Sequence, residues 1–189
     1  MMNLSELNDV YAIFHLDDSD DLSLFTVSNK KGKGLENYLK YQALNDEKSG
    51  IARTYLVKTI DNKEIVAYFT LRTGLITISR GFLKGFDATT GIELANFAVN
   101  DAFRETNECV PSLGTYVFNQ FILPLVKEIS NYVGASMLYI FSLPEDKLMS
   151  HYETMGFAKP SVRIEKYIYR HVKPAYDKSC RFMARTINN

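Results

Sequence analysis

The sequence predicts an α+β fold in which a mostly antiparallel sheet is flanked by helices. Residues 52–59 and 64–71 are rich in β-branched and aromatic side chains, and the turn between them contains Asp61 and Asn62, as β-hairpins prefer. Apolar residues within 116–133 recur at helical spacing. Because no repeat or low-complexity tract interrupts the pattern, one domain over residues 1–189 is expected.

The other elements follow from the same two criteria, clusters of apolar and β-branched residues for strands and a three-to-four-residue apolar period for helices. Besides the hairpin, strands are expected at residues 9–15, 75–79, 92–99, 136–141, 162–171 and 179–186. Helices are expected at residues 35–45, 116–133 and 144–155, with a surface excursion at 80–91 and a polar crossing at 100–109. Pro124 should kink or locally break its helix, since proline lacks a backbone N–H. Gly134 and Gly156 are placed to end helices.

The bulk composition is that of a packed globular protein with no overall charge. The 189 residues are 46% hydrophobic and 13% aromatic, which argues against extensive disorder. Lys and Arg number 22, as do Asp and Glu, so the whole molecule has no electrostatic attraction to nucleic acid or membrane. The first residues lack the basic start of a signal peptide, and no apolar run reaches the roughly 20 residues of a membrane span. A cytoplasmic location without membrane contact is expected.

The charges are nevertheless unevenly distributed along the chain. Residues 1–25 contain six acidic and no basic side chains, whereas residues 159–189 contain eight Lys or Arg against two acidic residues. In the C-terminal segment Arg163, Arg170 and Arg181 are interleaved with aromatic residues, a composition suited to stacking and phosphate contact. Two interpretations stay open: a surface that binds RNA, and a solvated hairpin whose aromatic residues pack in the core.

Cysteine and histidine are sparse, which limits the chemistry available. Cys109 and Cys180 lie far apart without metal-ligand neighbours, so free thiols in a reducing compartment are expected. The histidines are scattered, and no second ligand stands at metal-binding spacing. Neither a Gly-x-Ser-x-Gly sequence nor a Walker sequence is present. We therefore expect no metal site.

One local unit combines a strand, a glycine turn and a helix. The strand at residues 92–99 is followed by a turn at residues 111–114, which contains Gly114 and opens the helix. Such a turn presents unpaired backbone N–H groups at the positive end of a helix dipole, and this combination binds pyrophosphate. About forty residues after Gly114, Tyr152 stands four positions before Gly156 at the end of another helix.

This order of strand, turn, helix, strand and tyrosine-bearing helix resembles the core of the GNAT acetyltransferases. The strand end at residues 97–99 (Phe-Ala-Val), and Tyr152 with the Gly-Phe pair at 156–157, match motifs of that family. Residues 50–56, 67–71 and 92–94 resemble strands of its toxin-type branch. The resemblance covers about residues 35–157 and implies the GNAT fold, a central mixed, mostly antiparallel sheet flanked by helices.

The resemblance implies transfer of an acetyl group from acetyl-CoA to a primary amine. In the family the strand end offers backbone amides to pantetheine and to the thioester carbonyl, while the glycine turn binds the pyrophosphate. The implied acetyl-CoA-binding residues are Phe97, Ala98, Val99, Leu113, Gly114, Thr115, Tyr116 and Val117. Tyr152 corresponds to the general acid that protonates the departing thiolate, since a phenol of pKa ~10 is a plausible donor to a thiolate whose conjugate acid lies near ~8.5. Glu93 is the candidate general base.

Several alternatives stay open from the sequence. If Tyr152 is not catalytic, it is a buried aromatic residue with a hydrogen-bonded hydroxyl. If Glu93 is not the base, it is a surface residue of the strand. The acceptor is a small amine, a protein amine or an aminoacyl-tRNA, the last favoured by the toxin-like strands and docked on the basic C-terminal hairpin. An antitoxin protein and a second copy of the chain, as a homodimer, are further implied partners.

The rival function is a non-catalytic GNAT-fold binding or regulatory module that has lost CoA binding. It is supported by Pro111, where the family has Gln or Arg, and by Tyr116, where the family has Gly or Ala. Glu145 also stands where many members have Asn beside the cofactor.

Overall fold

The computed structural model describes residues 10–79, 86–107, 112–172 and 178–187. Within these ranges six strands form one sheet, and their order across the sheet is their order in the chain. The strands are β1 (Tyr11–His15), β2 (Arg53–Thr59), β3 (Ile65–Ser79), β4 (Phe86–Val99), β5 (Met137–Ser142) and β6 (Arg181–Thr186). β4 and β5 pair in parallel, while β1 with β2, β2 with β3 and β5 with β6 pair antiparallel. The predicted mixed, mostly antiparallel sheet is therefore confirmed.

Helices occupy most of the connections between the strands. They are α1 (Lys33–Tyr41), α2 (Ala43–Ser49), α3 (Asp101–Thr106), α4 (Leu113–Val117), α5 (Leu123–Val133), α6 (Asp146–Thr154) and α7 (Val162–His171). A 3-10 turn at Lys30–Gly32 precedes α1. The single helix predicted at 35–45 is in fact two helices, and α3 lies where only a polar crossing was expected.

The two central strands are longer than their sequence pattern indicates. β3 continues to Ser79, and β4 already begins at Phe86, so the surface excursion predicted at 80–91 is wrong for its second half. The hairpin turn is as predicted, because the Asn62 side chain accepts a hydrogen bond from the Glu64 backbone N–H at 3.1 Å. Lys63 has a φ of 61°, in the left-handed region that few non-glycine residues adopt. The geometry of this turn requires that conformation at position 63.

Residues 162–171 form the helix α7, so the strand predicted there is wrong, and with it the C-terminal hairpin. Ile164, Ile168 and Val172 are spaced by four residues, which satisfies both the two-residue period of a strand and the helical period. Ile168 is buried and packs in a cluster with Tyr139 and Phe182 of the sheet. The four-residue spacing of the apolar residues is compatible with both structures, and packing against the sheet favours the helix. The strand predicted at 179–186 is confirmed as β6.

The predicted break near Pro124 is confirmed as a π-helical turn, Phe118–Ile122, between α4 and α5. There the Leu123 backbone N–H donates to the Phe118 carbonyl, five residues earlier instead of four. Pro124 follows directly and has no N–H to donate, so the hydrogen-bond pattern of the helix is interrupted there. The wider turn lies immediately before this interruption. Gly134 ends α5 and Gly156 follows α6, with φ values of 65° and 85°, as expected for helix-ending glycines.

The chain divides into two compact units, each made of two segments. The first unit comprises Met1–Arg72 and Ala95–Leu123, and the second comprises Thr73–Leu94 and Pro124–Asn189. The core of the first unit includes the fully buried Leu39, Leu56 and Tyr68. The core of the second unit includes Ile76, Tyr139, Ile168 and Phe182. A single domain over the whole chain stays a prediction.

Candidate functional site

The end of β4 and the start of α4 meet in the first unit. A Cβ atom placed on Gly114 would lie 3.8 Å from Cγ2 of Val99 and 3.9 Å from Cζ of Phe97. Side chains alternate along a strand, and Ala98, between these two, is buried in the core of this unit. The structure therefore brings the predicted strand end and the predicted glycine turn into contact, as the resemblance implied.

Ser112, the residue directly before α4, has an unusual backbone conformation. Ser112 precedes the helix in the left-handed region, with φ 64° and ψ 42°, and its carbonyl accepts the Tyr116 backbone N–H at 3.1 Å. For a non-glycine residue this conformation is strained, and such strain concentrates at ligand-binding turns. Leu113 and Val117 are buried and anchor the helix, whereas Gly114 and Thr115 are partly exposed. The first N–H groups of a helix have no acceptor within the helix itself, and helix starts of this kind are common anion-binding sites.

Tyr116 packs its ring into the core of the first unit. The ring makes edge contacts with Tyr11 and Phe121, with centroid distances of 6.0 and 5.9 Å, and the residue is 4% exposed. Burial, helped by the neighbouring Tyr11 hydroxyl, raises the pKa of Tyr116 to about 12. Because the ring is packed against these neighbours, its size is no steric argument against phosphate binding at the turn. Pro111, the other departure from the family motif, lies outside the described residues.

Glu93 lies in the second unit and is buried. It is 6% exposed, and the Tyr139 hydroxyl donates to its Oε2 atom at 3.3 Å. The alternative interpretation of Glu93 as a surface strand residue is therefore wrong. Burying a carboxylate costs free energy unless its oxygens accept hydrogen bonds. The hydrogen bond from the Tyr139 hydroxyl therefore offsets part of the cost of burying Glu93.

Tyr152 lies near the end of α6, also in the second unit. Its ring contacts Phe157 edge-on, with centroids 5.7 Å apart, and the residue is partly exposed. Burial of the hydroxyl raises the pKa of Tyr152 to about 12. Among the described residues the hydroxyl has no hydrogen-bond partner, which argues against the alternative of a hydrogen-bonded structural tyrosine. No hydrogen bond joins Tyr152 to Glu93 within the described chain.

Sequence reasoning missed Tyr139, the residue that contacts Glu93. Tyr139 lies inside an apolar strand, where an aromatic residue carries no functional signal. The available signal was indirect: Gly74 and Gly91 stand directly before the strands predicted at 75–79 and 92–99, and glycines in or beside strands often mark a close approach by another group.

Three of the basic residues of the C-terminal segment lie on the helix α7. Arg163, Lys166 and Arg170 are exposed and spaced by three and four residues, so they form one stripe along α7. Arg181 lies on β6 and pairs with Glu165 at 3.2 Å. We call Arg163, Lys166 and Arg170 the basic stripe. It replaces the predicted hairpin surface.

Three further expectations concern metals, thiols and membranes. Among the described residues no three His, Cys, Asp or Glu side chains form a group that could hold a metal ion. Cys180 is a buried free thiol, and Cys109 lies outside the described residues. None of the described helices is long and apolar enough to cross a membrane.

The structure is similar in fold to solved structures of the AtaT toxin and of KacT. A tyrosine-to-phenylalanine mutant of the AtaT toxin matches with a TM-score of 0.67 and 16% identity, covering 95% of this chain and 91% of AtaT. A mutant of KacT matches with a TM-score of 0.64 and 16% identity, covering 94% and 95%. AtaT complexed with acetyl-methionyl-tRNAfMet matches with a TM-score of 0.61 and 18% identity, covering 78% and 86%. No protein-family model and no curated protein matches the sequence. The predicted GNAT fold is thus confirmed.

Proposed function

We propose that this chain is an acetyl-CoA-dependent N-acetyltransferase. The observation that carries the proposal is Tyr152, a tyrosine near the end of α6 whose hydroxyl has no hydrogen-bond partner among the described residues. It stands in a chain with the fold of the AtaT toxin, which has been solved with acetyl-CoA bound. The raised pKa keeps this phenol protonated at neutral pH, and a protonated hydroxyl that no described residue engages can donate its proton to a leaving group.

The residues for acetyl-CoA fit that ligand. The start of α4 offers backbone N–H groups and the positive helix end for the pyrophosphate, and Gly114 adds no side chain there. Phe97, Ala98 and Val99 offer backbone amides to pantetheine and to the thioester oxygen, where an N–H stabilises developing negative charge. The packing of Tyr116 against Tyr11 and Phe121 supports this fit.

Two proton transfers accompany the reaction in this proposal. The acceptor amine gives a proton to Glu93, directly or through water, as its nitrogen bonds to the acetyl carbon. The carbon–sulfur bond breaks, and the thiolate of CoA takes the proton of the Tyr152 phenol. The burial of Glu93 and the hydrogen bond from the Tyr139 hydroxyl support this role, because together they hold the carboxylate in a defined position.

The acceptor in this proposal is the amino group of an aminoacyl-tRNA. AtaT has been solved in complex with acetyl-methionyl-tRNAfMet. The basic stripe on α7 supports the same class here, because exposed Arg and Lys side chains neutralise backbone phosphates. Small amines and protein amines are the alternatives. An antitoxin protein is a proposed partner, since AtaT has been solved with the antitoxin AtaR, and a homodimer stays an open prediction.

The first experiment measures acetyl-CoA binding by thermal unfolding. A ligand at 100 times its Kd stabilises a protein by about 2.7 kcal/mol, so a clear rise in Tm is expected. Gly114→Ala should keep the fold, since the added Cβ would have neighbours no closer than 3.8 Å, but should weaken the rise. Gln42→Ala, at an exposed position between α1 and α2 in the first unit, is the control. No rise at millimolar acetyl-CoA would refute the enzyme and favour the non-catalytic module.

The second experiment identifies the acceptor. Labelled acetyl-CoA is offered with charged tRNAs, small amines or peptides, and the labelled product is separated. We expect transfer to charged tRNA only. Transfer to a small amine alone would retain the acetyltransferase proposal and refute the acceptor.

A further inference from the structure

Glu93 and Tyr139 face each other on neighbouring strands. They are direct partners in the parallel register of β4 and β5, so their side chains lie on the same face of the sheet. Both residues are buried, with exposures of 6% and 4%. The Tyr139 hydroxyl donates to Oε2 of Glu93 at 3.3 Å. This contact therefore forms inside the protein, where a hydrogen bond to a carboxylate is stronger than in water.

Two glycines make the space in which the tyrosine lies. A Cβ atom on Gly74 of β3 would overlap the Tyr139 hydroxyl oxygen and lie 2.8 Å from Cζ. A Cβ atom on Gly91 of β4 would lie 3.2 Å from the ring atoms Cδ1 and Cε1. The ring thus extends from β5 past Gly91, and its hydroxyl ends beside Gly74. Any larger residue at position 74 would displace that hydroxyl.

Aromatic contacts hold the ring in this position. Tyr139 stacks on Phe182, with centroids 5.7 Å apart and planes at 28°, and meets Phe141 edge-on at 6.1 Å. Ile76 and Ile168 complete the buried cluster around it. A ring fixed on several sides fixes its hydroxyl too, and hence any carboxylate that accepts from it.

We propose that Tyr139 is a positioning residue for Glu93. Its hydroxyl holds the Glu93 carboxylate in one orientation for accepting the amine proton, and Gly74 is the gap that lets the hydroxyl reach it. This inference rests on the proposed acetyltransferase function. The competing explanation is packing alone, in which Tyr139 merely fills the space over two glycines.

The decisive variant is Tyr139→Phe, which keeps the ring and removes the hydroxyl. We expect kcat for acetyl transfer to fall roughly tenfold to a hundredfold, with KM for both substrates unchanged, because a misoriented base affects the chemical step rather than binding. Tyr169→Phe is the matched control. Tyr169 belongs to the same cluster, but within the described residues its hydroxyl bonds backbone groups alone: it donates to the Cys180 carbonyl and accepts the Phe182 N–H at 2.9 Å. Its kcat should stay within about twofold of wild type.

A second measurement does not depend on activity. Carbon-13 NMR of protein labelled at glutamate carboxyl carbons gives a Glu93 resonance, identified by its loss in Glu93→Gln. That resonance should move in Tyr139→Phe and in Gly74→Ala, and stay in place in Tyr169→Phe. Thermal unfolding of each variant confirms that it is folded at the assay temperature.

Each outcome is decisive. An unmoved Glu93 resonance in Tyr139→Phe would overturn the inference whatever the activity. A moved resonance with wild-type kcat would show that the contact does not serve the reaction, and would overturn it as well. If wild-type protein transfers no acetyl group to any acceptor, the proposed function fails, and the resonance alone then decides whether Tyr139 holds Glu93.

Discussion

The pattern of Tyr152 followed four residues later by Gly156 and Phe157 has a structural explanation, because these residues end the helix α6. The Phe157 N–H donates to the Tyr152 carbonyl at 3.1 Å, and the Gly156 N–H donates to the Glu153 carbonyl at 3.0 Å. With Gly156 at φ 85° and the ring contact between Tyr152 and Phe157, this is a complete Schellman helix ending. An apolar ring four residues before a Gly-Phe pair therefore meets the packing needs of this helix end, whether or not that ring carries a hydroxyl. The functional evidence lies in the Tyr152 hydroxyl, which the helix ending does not use.

Replacing Tyr152 by Phe should separate these two roles. The ring contact and helix ending remain, so the free energy of unfolding should change by less than about 1 kcal/mol. Acetyl transfer should fall roughly 100-fold to 10,000-fold, the usual contribution of a general acid. Steady-state kinetics and thermal unfolding measure both. Tyr132→Phe is the control, since that tyrosine is 82% exposed at the end of α5. Full turnover by Tyr152→Phe would remove Tyr152 as the acid.

The pH profile of the wild-type enzyme gives an independent test of the same residue. Because burial raises the pKa of Tyr152 to about 12, the phenol stays protonated through the neutral and mildly alkaline range. The rate should therefore show no decline from loss of this proton up to about pH 10. A decline below pH 9 that Tyr152→Phe abolishes would contradict the raised pKa.

Glu36 at the start of α1 should control acid stability. Desolvation raises its pKa, but hydrogen bonds from Lys33 and the Val27 backbone N–H, with a further contribution from Lys40, outweigh this and hold it at about 2. The folded pKa is below the unfolded value, so the stabilisation is present above about pH 4.5 and is lost as the pH falls towards 2. Urea unfolding of Glu36→Gln should show stability reduced on the order of 2 kcal/mol at pH 7 and converging with wild type near pH 2. Parallel curves would refute this.

At the scale of elements, α7 shows how a spacing of four residues permits two structures. Ile164, Ile168 and Val172 fit one face of a strand and one stripe of a helix equally well. Ile168 is buried against Tyr139 and Phe182, which belong to other elements of the chain. The residues next to Ile168 in the sequence therefore do not predict its burial. The change from strand to helix also changes the basic surface. Arg163, Lys166 and Arg170 become neighbours on one stripe.

Charge reversal of the basic stripe tests its role. Arg163→Glu with Lys166→Glu and Arg170→Glu should raise KM for charged tRNA at least tenfold and flatten its salt dependence, while KM for acetyl-CoA stays unchanged. Arg104→Glu is the control, an exposed arginine on α3 in the first unit. The measurement is KM for tRNA at several salt concentrations. Equal salt dependence in the triple variant and wild type would exclude the stripe as the docking surface.

At the scale of the whole molecule, buried tyrosine hydroxyls couple folding to alkaline pH. Burial raises the pKa of Tyr38, Tyr116 and Tyr152 to about 12 in each case, and for Tyr38 a hydrogen bond to Asp46 adds to the effect. The three residues are divided between both units.

We therefore expect the free energy of unfolding to be independent of these groups below pH 10 and to fall as the pH rises from 10 to 12. The sign follows from the raised folded pKa, because the folded state binds more protons than the unfolded state in that range. Denaturant unfolding between pH 8 and 12 measures it, and Tyr38→Phe should shallow the fall. A stability that stays constant to pH 12 would contradict the prediction.

Local sequence was sufficient for features that one segment decides alone. The Asp61–Asn62 turn, the glycine helix ends at 134 and 156 and the break before Pro124 are such features, because each depends on the φ range or N–H of one residue. The order of strand, glycine turn and tyrosine-bearing helix was equally readable, and it predicted the fold.

Only the tertiary structure decided the features that depend on distant partners. It made residues 162–171 a helix, buried Glu93 beside Tyr139, and packed Tyr116 against Tyr11 and Phe121. In each case part of the deciding free energy comes from burial against residues distant in the sequence, such as Tyr11 for Tyr116 and Tyr139 for Glu93, which neither spacing nor propensity encodes. The sequence by itself determined which acetyltransferase-like elements are present and in what order, and packing determined which side chains those elements bury and which they expose.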